Sequence, residues 1–297
     1  QTCALPICPI GDSSIIPLYH ICKEVSKDYK VILSGEGSDE FFGGYNIYTE
    51  DESLKMFNYM PSGMKSLLKS MAGAIPDTVK GKSFIVRGTT PLEKRYVGNA
   101  NIFNEREKAK VFKNYSSSRN DLELTENLFK DVKNYDNVIK RQYIDINTWL
   151  VGDILTKADR MSMANSLEIR VPFVDKEVFK LASTLTKDEK VQKFTTKYAL
   201  REAFKDELPD YLYAKRKLGY PVPMRVWLKN ELYNWAFNII DNNPVKEINK
   251  EEVLTMLKDH KAGKGDYSRK VWSIIVFIIW YRLYVDKTLN KDDIFEI

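Results

Sequence analysis

Between Ser34 and Tyr45 the chain reads S-G-E-G-S-D-E-F-F-G-G-Y. Three carboxylates, Glu36, Asp39 and Glu40, sit among the glycines Gly35, Gly37, Gly43 and Gly44. Glycine lets a backbone approach a ligand closely, and a turn that opens a helix points N–H groups at an anion. Carboxylates in such a turn would repel a bare phosphate. They suit a Mg²⁺ ion that bridges carboxylate and phosphate oxygens, or a proton or amine handled during a reaction. A tight turn with solvated acids is the plainer reading. The crowding of glycine and acid into so short a stretch favours chemistry over it.

The flanking elements must hold that loop. Val31-Ile32-Leu33 closes a short strand expected over Tyr29 to Leu33. Before it, Ile15, Leu18, Cys22 and Val25 mark one face of a helix from Ser14 to Lys27, with Asp12 and Ser13 as caps. Helix, strand and glycine loop make half of an α/β unit, and a further helix opens near Ser38 or Asp39. Residues Pro61 to Thr90 suit a helical hairpin and a loop. From Pro91 to Asn165 the pattern is helical almost throughout, and helices resume at Lys176 to Leu185 and Thr195 to Phe204. Strands are too few for a complete parallel sheet, so an unpaired sheet edge and an uncovered helix face are expected.

Inside that helical region, Ile146, Leu150, Ile154, Ala158 and Met161 form the apolar face of a helix over Tyr143 to Ala164. Trp149, Asp153, Lys157 and Arg160 share another face. Asp153 and Lys157 stand at i,i+4, the spacing of an exposed pair worth about 0.2–0.5 kcal/mol. A substrate-facing stripe fits as well, so both residues are second-tier site candidates. Met161 and Met163 are assigned to the core. Glu168 and Arg170 either pair with each other or hold the loop before Pro172.

The chain has 297 residues, 43% of them hydrophobic, enough for a sizeable core. A net charge of +5 from 46 basic and 41 acidic residues is a mixed, solvated surface and no nucleic-acid patch. Cys3, Cys8 and Cys22 have neither C-x-x-C spacing nor histidine support, which argues against a zinc site or disulfide framework. With only His20 and His260, histidine-based triads have little material. The apolar run within Val271 to Tyr284 is too short and too aromatic for a membrane span. Trp272, Ile275, Ile279 and Leu283 make it a buried helix. No signal peptide is visible. Gln1 to Ile7, Q-T-C-A-L-P-I, reads as a translated sequencing-adapter oligonucleotide, so residues 1–7 are expected to be a scar on a chain shortened upstream, with 8–297 as the protein's own sequence.

The loop resembles that of the asparagine synthetase family, in its ATP-binding synthetase domain. Gly152 to Asp175, G-D-I-L-T-K-A-D-R-M-S-M-A-N-S-L-E-I-R-V-P-F-V-D, is similar to the family's second signature. Lys215 to Leu228, K-R-K-L-G-Y-P-V-P-M-R-V-W-L, is similar to its late K-x-G-F/Y-x-x-P segment, and T-K-Y-A-L-R-E-A-F before it also fits. The resemblance spans Gly11 to Tyr284. It implies an α/β synthetase domain of the adenine-nucleotide α-hydrolase-like (ATP-pyrophosphatase) type, mostly helical here and lacking its first strands.

That resemblance also implies a reaction. ATP would adenylate the side-chain carboxylate of aspartate, giving β-aspartyl-AMP and pyrophosphate. Ammonia, released from glutamine by a separate N-terminal glutaminase domain, would attack the adenylate. Ser34 and Gly35 would contact the nucleotide. Glu36 would support the intermediate and accept a proton from ammonia, and Asp39 would hold Mg²⁺. Lys217 matches the lysine that neutralises phosphate charge, although Lys215, Arg216 and Lys229 beside it make a solvated basic loop a respectable alternative. The family setting further implies a cytoplasmic enzyme with ATP and Mg²⁺ as cofactors, no nucleic-acid or membrane partner, and leaves a homodimer open. The family's pyrophosphate loop, S-G-G-x-D-S, occurs nowhere in this sequence, nor does the glutaminase domain. The chain alone is therefore expected to be a catalytically incomplete part of an active parent. Two rival readings stand beside this one. A relative could adenylate another carboxylate, as in peptide or sugar-acid amidotransferases or ring-closing synthetases, though Glu36 stands where β-lactam-forming relatives would carry a tyrosine. A nucleotide-binding module without ligase activity is the third.

Overall fold

The computed structural model describes residues 9–75, 79, 81–99, 101–116, 121–213, 219 and 221–290. The expected scar at residues 1–7 and the candidate Lys217 lie outside the described residues.

The first layer is a small α/β unit. Helix α1 (Ile15–Val25) leads into strand β1 (Val31–Leu33), and the glycine loop then opens α2 (Ser38–Phe42). Strand β1 pairs in parallel with β2 (Glu168–Arg170), Val31 opposite Glu168 and Leu33 opposite Arg170. Leu18 and Cys22, one helical turn apart on α1, pack with Leu167, Ile32, Met161 and Ile169 beneath that sheet. The opposite face is open: Val31 and Leu33 are 44% and 73% exposed.

Between the two strands run α3 (Glu50–Asn58), α4 (Ser62–Ala74), α5 (Lys82–Thr89), α6 (Glu105–Val111), α7 (Leu122–Asp131) and α8 (Asn137–Asp145). Helix α8 starts where Asp136 accepts hydrogen bonds from the Val138 and Ile139 amides, satisfying two orphan donors. It does not run on as one α-helix to Ala164. The chain winds as a π-helix over Ile146–Leu155 and returns to α-helix in α9 (Thr156–Met163). Long π-helical runs are rare and concentrate at functional sites. Their i→i+5 bonds keep residues four and five apart on one side, so the stripes read from the sequence survive. Leu150, Ile154 and Ala158 are buried, and Trp149, Asp153 and Arg160 share a different face. Met161 packs against the α1 cluster as expected, but Met163 is 52% exposed and belongs to no core.

Two buried polar clusters anchor this middle region. Glu50, at the start of α3, accepts from Arg87, Arg95 and the fully buried Arg141. Asp145, at the end of α8, accepts from Tyr48 and Tyr96 at 2.7 and 2.6 Å and from the Asn99 backbone at 3.1 Å.

After β2 the chain continues through α10 (Lys176–Thr184), α11 (Lys187–Lys190), α12 (Tyr198–Ala203), α13 (Asp210–Tyr213) and α14 (Met224–Trp227). Helices α15 (Tyr233–Asp241), α16 (Lys250–Lys261) and α17 (Ser268–Tyr284) then build the largest core. Val271, Ile274, Ile275 and Ile278 of α17 are buried there, and Trp272 and Ile279 are partly buried against it. Each such aliphatic side chain contributes about 1.5–3 kcal/mol over leaving it in water. The expected buried terminal helix is therefore present. No helix of the described residues is long and apolar enough to cross a membrane. The described residues are mostly helical, with one two-stranded parallel sheet among them.

Candidate active site

The glycine loop leaves the carboxyl end of β1. The Ser34 amide donates to the Arg170 carbonyl at 2.8 Å, extending the parallel ladder by one bond. Ser34, Gly35 and Glu36 then project beyond the sheet, where open α/β sheets gather their ligands. Gly37 turns the chain at φ +85°, a conformation that side chains with a Cβ rarely adopt, and becomes the N-cap of α2. The Ser38 hydroxyl donates back to the Gly35 carbonyl at 2.7 Å and closes the turn.

The three loop carboxylates have different surroundings. Glu40 is buried and structural: the Tyr45 hydroxyl donates to it at 2.6 Å, and the Trp149 indole donates to Tyr45 at 3.2 Å. Burial and the neighbouring carboxylate push the Tyr45 phenol far above its usual range, so it stays a donor. Asp39 pairs with Lys197 at 2.8 Å, and the same ammonium donates to the Ser38 hydroxyl at 2.8 Å. Gly44 makes that arrangement fit: a Cβ there would stand 1.8 Å from Asp39 Oδ1 and 2.4 Å from Lys197 Cε. Glu36 is half-buried and close enough to raise the Lys157 pKa through its charge.

Lys157 is the second focus of the site. Its Nζ lies 2.7 Å from Asp12 Oδ2, 2.9 Å from the Ser14 hydroxyl and 3.4 Å from Asp153 Oδ2. The expected exposed pair is thus a largely buried triad, with the Lys157 side chain only 8% exposed. The expected capping role of Asp12 yields to it: Asp12 accepts from Ser14 and Lys157, and no side chain caps α1. Burial opposes charge on Lys157, but Asp12, with Asp153 and Glu36, outweighs it and holds the ammonium above its ordinary value. Burial would likewise raise Asp12, yet Lys157 and Ser14 keep it below the usual carboxylate range. Asp153 goes the other way, pushed up to about 6 by burial, with Lys157 opposing and the Asp12 charge adding to the rise. One carboxylate of the triad is held ionised while the other is poised to carry a proton.

Beside this triad opens a cleft of about 450 Å³, lined by Asp12, Ser13, Trp149, Asp153, Thr156, Arg160 and Trp272 among others. The Lys157 ammonium lies 6.0 Å from the Trp149 ring centroid, and Trp149 reaches Glu40 through Tyr45. Loop and π-helical segment are thus tied into one constellation. The exposed Glu168 and Arg170 pair with each other at 2.8 Å, outside it.

Ser34, Gly35, Glu36 and Asp39 therefore lie together on one loop, and Asp153 and Lys157 join them from the second signature. Lys217 falls among the residues that are not described. Sequence reasoning did not single out Lys197 or Asp12 for the site. Lys197 lies 159 residues from its Ser38 partner, and the T-K-Y-A-L-R segment that carries it was the one signal that could have pointed there. Among the described residues no three His, Cys, Asp or Glu side chains gather closely enough to cage a metal ion. Asp39 offers one carboxylate, which suits a Mg²⁺ ion that takes its other ligands from phosphates and water.

The sequence model for the family described as asparagine synthase matches residues 3–282. The chain is 46% identical over 287 residues to the glutamine-hydrolyzing asparagine synthetase 1 of Bacillus subtilis, covering 96% of this chain and 45% of that protein. It is 39% identical over 283 residues to a putative glutamine-hydrolyzing asparagine synthetase of Mycobacterium tuberculosis, covering 95% and 43% respectively. A more distant likeness, 26% identity over 241 residues, is to the amidase chyE of Penicillium rubens, covering 74% of this chain and 36% of that protein. The chain spans less than half the length of these curated relatives. The loop, the second signature and the match across nearly the whole chain agree, and the chain belongs to the asparagine synthase family.

Proposed function

We propose that this chain forms part of the synthetase half of a glutamine-hydrolysing asparagine synthetase, which converts aspartate to asparagine at the expense of ATP. The observation that carries this reading is Glu36 on a glycine loop at the carboxyl end of a parallel strand, with Asp39 in the first turn of the helix that loop opens and Lys197 paired to it from a distant segment, within a chain of this family. In the reaction the aspartate β-carboxylate attacks the α-phosphorus of ATP, forming β-aspartyl-AMP and releasing pyrophosphate. Ammonia then attacks the acyl carbon, the C–O bond to AMP breaks, and the nitrogen sheds a proton.

Ser34 and Gly35 present backbone and hydroxyl to the nucleotide. Glu36 receives the proton from the attacking nitrogen. Asp39 would hold a Mg²⁺ ion, which when bound would neutralise phosphate charge, and Lys197, paired with Asp39 at 2.8 Å, would add a positive charge beside the phosphates. Lys217 adds a second positive charge there. Asp153 lines the neighbouring cleft, and Lys157 beneath it carries a charge that feels Glu36. The glutaminase domain that supplies ammonia belongs to the longer parent chain, and the soluble chemistry suits a cytoplasmic enzyme.

The test uses the full-length parent with ATP, Mg²⁺, glutamine and one candidate acid at a time, following AMP and pyrophosphate. AMP release that needs aspartate, and that falls by about 10²–10³ in Glu36→Gln and Lys217→Ala, is the expected result, a loss typical of removing a group that stabilises developing charge. AMP release with a different acid would refute the substrate. Bound ATP with no AMP from any acid would refute the reaction.

A further inference from the structure

Against Glu40 and Phe41 of α2 opens a larger cleft of about 830 Å³. Its apolar wall includes Phe41 and Phe179, whose ring centroids stand 5.2 Å apart, with Ile146 and Leu185. Two polar side chains in that lining are more than nine-tenths buried, and each keeps a polar atom without a hydrogen-bond partner. Lys190 is 5% exposed, and its ammonium makes no ion pair or hydrogen bond among the described residues. Gln142 is 3% exposed, and its Oε1 has no hydrogen-bond partner. The orientation of that amide is set, because Nε2 donates to the Glu40 and Phe41 carbonyls at 2.6 and 3.1 Å. A buried donor or acceptor left unmade is costly, and a charged one more so. Burial accordingly pushes Lys190 down to about 8, with Asp136 opposing only in part. Native proteins retain such groups where a ligand completes them.

We propose that this cleft is a binding site for a neutral small molecule with an apolar body and a carboxamide head. The amide carbonyl accepts from Lys190 and the amide N–H donates to Gln142 Oε1, while the body lies among Phe41, Ile146, Phe179 and Leu185. A carboxylate head fits less well, since Asp131, Asp136 and Asp188 also line the cleft. The site touches the candidate active loop through its floor. Gln142 holds the carbonyls of α2, and a Cβ at Gly43 would meet Lys190 Cβ at 3.2 Å, so both unpartnered groups abut the end of the helix that presents Asp39. The proposal does not depend on the reaction assigned to that loop.

Calorimetric titration of the full chain with N-acetyl-L-leucinamide at neutral pH tests it. Saturable binding is expected, weakened about tenfold or more in Lys190→Met, which loses one charge-assisted hydrogen bond. Methionine keeps the apolar stem and removes an unpaired buried charge, so this variant folds at least as well as the parent and its lost affinity is not lost structure. Ser183→Trp, at the cleft, should obstruct binding without touching either polar group. N-acetyl-L-leucine, with the same body and a carboxylate head, should bind more weakly than the amide. No saturable heat at millimolar amide would overturn the site. So would equal affinity in Lys190→Met, or an acid that binds as well as the amide.

Discussion

The buried triad makes an asymmetric prediction about two aspartates that look equivalent in sequence. Asp12 meets Lys157 at 2.7 Å and Asp153 meets it at 3.4 Å, and their side chains are 24% and 14% exposed. Removing one partner of a fully buried pair costs about 3–5 kcal/mol. Partial exposure and the remaining Asp153 reduce that for Asp12→Asn to about 2 kcal/mol. Asp153→Asn behaves differently. In the folded chain Asp153 keeps its proton up to about 6, whereas its ordinary value is 3.8. Between those values the folded state binds more protons than the unfolded one, so stability falls as pH rises through the window and the loss is complete above it. A rise of that size in the carboxyl's pKa corresponds to about 2–3 kcal/mol. Asparagine keeps an acceptor for Lys157 and removes that loss. Asp153→Asn should therefore be no less stable than the parent at neutral pH, and should lack the decline between about pH 4 and 6. Urea unfolding at acid and neutral pH reads both effects. Equal destabilisation by the two substitutions, or an unchanged decline in Asp153→Asn, would refute the assignment of Asp12 as the ionised partner and Asp153 as the proton carrier.

Three further outcomes follow from single contacts. Gly44→Ala forces a methyl into Asp39 and Lys197, so in the full-length parent it should raise the KM for Mg²⁺-ATP about tenfold or more, while Gly63→Ala, where a Cβ meets nothing within 4 Å, leaves it unchanged. Glu50→Gln strips the counter-charge from the fully buried Arg141, with an expected cost of about 3 kcal/mol in urea unfolding after allowance for the nearby Asp51. In Lys190→Met the stability at neutral pH should rise by about 3 kcal/mol; the parent lysine titrates at about 8 when folded and 10.5 ordinarily, so parental stability climbs with pH across that interval and the variant's does not.

What the sequence made legible was local. Gly37 and Ser38 announce a turn and a helix start within a few residues, and the structure places both there. The apolar stripe through Leu150, Ile154 and Ala158 was readable because a step of four keeps one face in either winding. The winding itself was not, since α- and π-helical turns share that step. Burial of Asp153 and Lys157 was equally hidden. An i,i+4 acid–base pair looks the same on a solvated face as under a third residue, and the third residue, Asp12, comes from 145 positions away. Lys197 escaped for the same reason: nothing near it in the chain carries the charge it pairs with.

These hidden contacts are the ones that bear on chemistry. A glycine loop with acids is a local device, and any chain can write one. Its electrostatics come from lysines delivered by distant segments, Lys197 onto Asp39 and Lys157 toward Glu36. The loop therefore carries its own counter-charges, held close by short contacts with Ser38 and Asp12. If the loop takes a Mg²⁺-nucleotide as proposed, the first of these pairs is the one that would yield, because Lys157 is paired with two carboxylates and Lys197 with one. On that reading Lys197 would be the counter-charge that gives way to a ligand and Lys157 the one that stays.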